Sequence, residues 1–146
     1  EKTIRKIYRS ELSTVMVGGF PSGVKRQAAW IKDWKQLYPM LEPARCTLCF
    51  NWIDQTATTS RYPEAMSIGM IPFVWQDYDS NNTYNIDPWQ RITSSEDFIE
   101  KSLLLRNQDF FEKKLEKYRD NYSKVLLSQE EYFKLFSEKM NFALDS

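Results

Sequence analysis

Apolar positions along the chain alternate between two rhythms. Short continuous apolar runs occupy Thr14–Val17, Arg45–Trp52 and Ile71–Trp75. Such runs, bounded by turn residues, predict buried strands. Pro72 is tolerated because it stands at a strand start, where a ladder N–H is not yet required. Between the runs the apolar positions take helical spacing. Ala28, Ile31, Trp34 and Tyr38 predict a helix beginning near Val24 and stopped by Pro39. Ser60 as N-cap, Pro63 in the first turn and Gly69 as a stop predict a second, shorter helix. The stretch Gln76–Trp89, rich in Asp, Asn and Tyr, is predicted as a long surface loop.

The rest of the chain is helical in pattern. Thr93-Ser-Ser-Glu96 has the form of a capping box ahead of Phe98, Ile99 and Leu103. Phe111, Leu115, Tyr118, Tyr122 and Val125 make one apolar stripe, and Ser128-Gln-Glu-Glu131 is another capping box before Tyr132, Phe136 and Met140. Strand and helix thus alternate three times before a helical tail. The predicted fold class is α/β, a Rossmann-like, mainly parallel sheet with helices on both faces. The expected organisation is a linker or short helix over 1–13, the Rossmann-like domain over 14–105, and a C-terminal helical tail over 106–146 packed on it.

Composition narrows the chemistry. The 146 residues are 42% hydrophobic and 15% aromatic, enough to build a core. Twenty basic residues balance twenty acidic ones, so no global field draws in nucleic acid or a membrane. Histidine is absent, which removes Ser-His-Asp and Cys-His catalysis and histidine metal sites. No metal site is expected. The two cysteines, Cys46 and Cys49, fall inside an apolar strand run without a second pair or a histidine partner. They read as buried reduced thiols, which fits a cytoplasmic setting. No apolar stretch approaches the ~20 residues of a membrane span, and Lys2, Arg5, Lys6 and Arg9 interrupt any signal-peptide pattern. A start at Glu1 suggests a fragment or an excised domain. Asn81-Asn82-Thr83 and Asn121-Tyr122-Ser123 match the N-glycosylation pattern, which carries no meaning in the cytoplasm.

Three segments follow the predicted strands, at the sheet edge where such folds bind ligands. The first is Gly18-Gly-Phe-Pro-Ser-Gly-Val-Lys-Arg26. Its glycines admit close backbone approach, while Ser22, Lys25 and Arg26 add a hydroxyl and two cations suited to a pyrophosphate. The alternative is a flexible turn with solvated charges; the Walker A spacing is absent. The second segment is Ser60-Arg-Tyr-Pro-Glu-Ala-Met-Ser-Ile-Gly69, which puts Arg61 and Glu64 on one helix face. A carboxylate there suits the vicinal hydroxyls of a ribose, and a guanidinium suits a phosphate. The alternative is a surface ion pair of small worth. The third carries Asp77, Tyr78 and Asp79, whose carboxylates either meet sugar hydroxyls or, as the leading reading, cap a turn.

Together, Val17-Gly-Gly-Phe-Pro-Ser-Gly-Val-Lys-Arg26 and the run Arg61-x-x-Glu64-Ala-Met-x-x-Gly69-x-Ile-Pro72 resemble the C-terminal, donor-binding domain of GT-B glycosyltransferases. The R-x-x-E form and the G-G-x-x-S-G segment are most similar to the phage DNA glucosyltransferases, which glucosylate hydroxymethylated cytosine. The resemblance covers residues 14–76. It implies a hexosyltransferase that binds a nucleoside diphosphate sugar, UDP-glucose, as donor and requires no further cofactor. It also implies a DNA acceptor, and a host-cytoplasm location for a protein of phage origin. Gly18, Gly19, Ser22 and Gly23 would frame the diphosphate, and Lys25 or Arg26 would neutralise it as it departs. Arg61 would contact it too, and Glu64 would hold the ribose. The base and most of the acceptor site would come from an N-terminal α/β domain of the same protein, which this chain does not contain. The chain departs from the family between Trp34 and Arg45, where the gap is too short for the strand and helix expected there. Either the domain is shortened or residues between about Leu37 and Arg45 are missing. Two alternatives stay open: a GT-B enzyme with a polysaccharide, lipid or protein acceptor, and a non-catalytic nucleotide-binding or interaction module.

Overall fold

The computed structural model describes residues 2–14, 33–50 and 58–126, together with 130–131, 134–135 and 137. Within them the architecture is α/β, built on an open sheet of three parallel strands in the order β1-β2-β3: Cys46–Cys49, Ile71–Trp75 and Arg91–Ile92. Five helices are described: α1 Lys2–Tyr8, α2 Trp34–Leu41, α3 Arg61–Ser67, α4 Ser95–Leu104 and α5 Gln108–Ser123. This arrangement is compatible with a Rossmann-like fold. The predicted strand at Thr14–Val17, the start of the first helix near Val24 and the capping box at Ser128 lie mostly outside the described residues.

The central strand β2 shows why the apolar run was legible. Ile71, Pro72, Phe73 and Val74 are all buried. Successive strand side chains point to opposite faces, so both faces of β2 are covered. Pro72 is accommodated by the sheet's stagger. Its place in the strand turns its backbone toward β3, but β3 first pairs at Val74, opposite Arg91. The Gln90 side chain fills that gap by donating from Nε2 to the Pro72 carbonyl at 2.9 Å.

Helix α3 ends in a Schellman motif. Gly69 takes φ +85°, Met70 N donates to Ala65 O at 3.0 Å, and Gly69 N donates to Met66 O at 3.3 Å. The glycine stop expected from sequence is therefore present, with a left-handed residue that disfavours any Cβ. One hydrophobic cluster unites the strands with the helices: Ile7 of α1, Cys49, Tyr62, Met66, Phe73, Val74, Ile92, Phe98, Leu105 and Tyr118. The α5 stripe contributes Phe111, Leu115, Tyr118 and Tyr122 to it, while Val125 lies exposed beyond the helix end.

Four local expectations are corrected. Pro39 lies inside α2 rather than stopping a longer helix. That helix starts afresh at Trp34, with the Asp33 carboxylate accepting from Lys35 N, and it is short enough that the missing Pro39 N–H interrupts little. The cap of α4 is Ser94, whose hydroxyl accepts from Asp97 N, one residue later than the Thr93 box predicts. Strand β3, two residues long, carries no periodicity and was not anticipated. Finally, the segment Gln76–Trp89 is no surface loop throughout. Tyr78, Asp79 and Ile86 are buried, and Pro88–Gln90 form a 3-10 turn capped by Asp87.

Candidate functional site

Parallel strands deliver their carboxyl ends to one edge of the sheet, and α3 begins beyond the end of β1. That connection places Arg61 and Glu64 on the first turn of α3, near Cys49 at the end of β1. Arg61 Nη1 donates to Glu64 Oε2 at 2.7 Å, with the Arg61 side chain 62% exposed and that of Glu64 30%. An exposed i,i+3 pair contributes only about 0.2–0.5 kcal/mol to stability. Burial pushes the Cys49 thiol up to about 12, a shift opposed by Arg61 and reinforced by Glu64. Both charges thus act at the strand end. In this state the two residues serve each other, the alternative that their spacing left open, yet Arg61 keeps further N–H donors and Glu64 its second oxygen.

The other residues expected at this edge, Gly18, Gly19, Ser22, Gly23, Lys25 and Arg26, lie outside the described residues. In the third segment Asp79 caps a turn, whereas Asp77 is exposed. The Asp79 carboxylate accepts from Thr83 N at 2.7 Å and Tyr84 N at 2.9 Å. Arg91 donates to the carbonyls of Gln76, Tyr78 and Asp79 at 3.2, 2.6 and 3.3 Å. Asp79, Asn82 and Asn85 adopt left-handed conformations, φ +51°, +53° and +51°, which Asn and Asp tolerate best among non-glycine residues. Sequence reasoning missed Arg91 altogether; an arginine opening a two-residue strand gives no signal of the carbonyls it will meet.

The cysteine pair offers no redox chemistry. A spacing of three along β1 sends the two side chains to opposite faces. Both thiols are free, and burial pushes Cys46 up to about 11 despite its bond to Ser102. Thiolate reactivity near neutral pH is suppressed at both. Among the described residues, no group of three or more Cys, Asp or Glu side chains is arranged to hold a metal ion. Nor is any described helix long and apolar enough to cross a membrane.

A second charged cluster surrounds Trp89. Lys114 Nζ lies 4.3 Å from its ring centroid and 5.4 Å from that of Phe110, while Lys117 pairs with Asp87 at 2.6 Å. Burial pushes the Lys114 amine down, Asp87 opposes this, and the charges of Lys117, Lys113 and Lys101 add to it. Burial raises the Asp87 carboxyl, but its bonds from Lys117 and Trp89 N, with the nearby lysine charges, leave it lowered. A groove along α5, lined by Glu112, Leu115, Glu116, Arg119, Asp120 and Ser123, opens beside Gly69, at the other end of α3 from Arg61. Neither feature meets the Arg61–Glu64 pair. Comparisons with known protein families, with curated proteins and with solved structures find no match to this chain.

Proposed function

We propose that the chain is the nucleotide-sugar-binding half of a GT-B type glycosyltransferase, with UDP-glucose as its donor. The observation that supports this is the position of Arg61 and Glu64 together on the first turn of α3, beyond the carboxyl end of a parallel strand. Ligands of open α/β sheets bind at that edge. On this reading the pair opens to take one ligand: Glu64 accepts two hydrogen bonds from the ribose hydroxyls, and Arg61 donates to the diphosphate. Lys25 or Arg26, from the glycine-rich segment, joins Arg61 on the leaving group.

The reaction is transfer of a hexose to an acceptor hydroxyl. The acceptor oxygen bonds to the anomeric carbon as the bond to the β-phosphate oxygen breaks, and UDP departs with that electron pair. The hydroxyl proton passes to a base from the partner N-terminal domain. Positive side chains lower the barrier because charge builds on the diphosphate in the transition state. The acceptor we favour is a hydroxymethylated base in DNA, for which binding falls steeply with salt; a carbohydrate, lipid or protein acceptor lacks that dependence.

Titration of UDP-glucose into wild type and Glu64→Ala tests the proposal. A charge-assisted bond contributes about 1.5–3 kcal/mol, so the variant loses roughly ten- to a hundredfold in affinity. Equal affinity in the two removes Glu64 from the site. Arg61→Ala should reduce turnover in the assembled enzyme more than donor affinity, since its partner gains charge in the transition state. The closed Arg61–Glu64 pair favours a second reading, a module that binds no donor. Protection from thermal unfolding by UDP, but not by ATP or NAD, decides against it.

A further inference from the structure

The helix that carries Arg61 and Glu64 does not anchor its own start. Ser60 is the N-cap residue, but it sits in helical conformation (φ −60°, ψ −14°) and makes no side-chain capping bond. The fixing contact comes from across the edge instead. Tyr78 Oη accepts from Thr59 N at 2.8 Å, donates to Thr59 O at 3.2 Å, and lies 3.2 Å from Thr59 Oγ1. All of these contacts converge on one residue, two positions before Arg61.

The anchor itself is rigid. The Tyr78 ring is fully buried in the central cluster. Its backbone is held by Arg91 at the Tyr78 carbonyl, in a turn braced by the Asp79 carboxylate. Burial pushes the phenol up while its Thr59 bonds oppose the shift, so it stays protonated and able to donate at neutral pH. We infer that Tyr78 is a positioning residue for the Arg61–Glu64 pair, its hydroxyl tying the entry to α3 onto the braced turn after β2. The inference rests on the donor-binding reading of that pair. A side-chain pair at a ligand edge must be held to within about half an ångström to act, and a helix start without its own cap needs such a hold from elsewhere.

Tyr78→Phe removes the hydroxyl and keeps the buried ring. Two measurements on the complete chain decide the matter. Amide exchange at Thr59, corrected for global stability, should accelerate at least roughly tenfold in Y78F, as expected for a lost hydrogen bond. The Kd for UDP-glucose, taken well below the Tm of every variant, should rise roughly three- to tenfold. Thr59→Val, which deletes one contact and leaves the core untouched, should raise Kd less, about twofold. Ile4→Val in α1 supplies the control: it lowers Tm through the core and leaves Kd unchanged. Unchanged Thr59 exchange in Y78F overturns the anchor. Unchanged Kd in both Y78F and T59V, while E64A weakens binding, overturns the positioning role. Absence of UDP-glucose binding by wild type overturns the donor reading itself, and the anchor is then judged on exchange alone.

Discussion

Two charged regions share the carboxyl edge of the sheet and are built on opposite principles. Around Asp79 the charges are consumed by backbone: one buried carboxylate takes two amides, and Arg91 takes three carbonyls. At Arg61 and Glu64 the described charges pair with each other, Arg61 exposed and Glu64 half-buried. The first arrangement stabilises a turn. The second contributes little to folding and is available for chemistry. Charge alone does not mark a site; spare valence beside solvent does.

The sharpest way to break this contrast is to remove the buried charge. Asp79→Ala leaves two amides without acceptors and puts a Cβ-bearing residue without a compensating side chain at φ +51°. The expected loss is about 3 kcal/mol, read from urea unfolding. A loss below about 1 kcal/mol would mean that the turn is not held as described.

Alkaline titration probes the buried side next. Burial raises Cys46 to about 11 and Cys49 to about 12, from an ordinary 9.0. Folded pKa values above the unfolded ones favour the folded state fully below pH 9, and that advantage disappears as pH climbs through the folded values. Each thiol should therefore cost up to about 1.4 kcal/mol per pH unit above pH 9. Urea midpoints should fall between pH 9 and 10.5, and Cys49→Ala should flatten the decline. A slope identical in the variant would contradict the burial of that thiol.

Helix caps offer a finer comparison. Ser94 Oγ accepts from Asp97 N at 3.1 Å, whereas Ser60 makes no such bond. Ser94→Ala should lower stability by about 1 kcal/mol and Ser60→Ala by less than about 0.5 kcal/mol, compared by thermal unfolding. Smallest of all should be the effect of Glu64→Ala on stability, within about 0.5 kcal/mol, although on the proposed donor reading it should weaken donor affinity strongly. A strongly destabilised E64A would place the carboxylate among the structural charges and weaken the donor reading.

What was legible in the sequence follows from how local each cause is. The strand at Ile71–Trp75 was found at its observed bounds because a strand buried on both faces must be apolar at every position. The helix from Arg61 was bracketed by Ser60, Pro63 and Gly69, and its spacing put Arg61 and Glu64 side by side. Strand β3 escaped notice, since two residues carry no period. The turn after β2 was misjudged as surface because its composition is polar. Polar composition predicts exposure only when no partner arrives, and here the partners come from Thr83 and Tyr84, a few residues on, and from Arg91.

The sequence by itself therefore determined the α/β alternation, the parallel strand at the centre, and the adjacency of a guanidinium and a carboxylate one helical turn apart. Those features depend on periodicity and on contacts within a few residues. Tertiary structure alone decided that Arg91 reaches back to three carbonyls of the turn after β2, and that Tyr78 reaches back across 19 residues to hold Thr59. Whether a polar side chain is structural or available depends on which distant backbone groups converge on it, and that convergence exists only once the sheet has brought them to one edge.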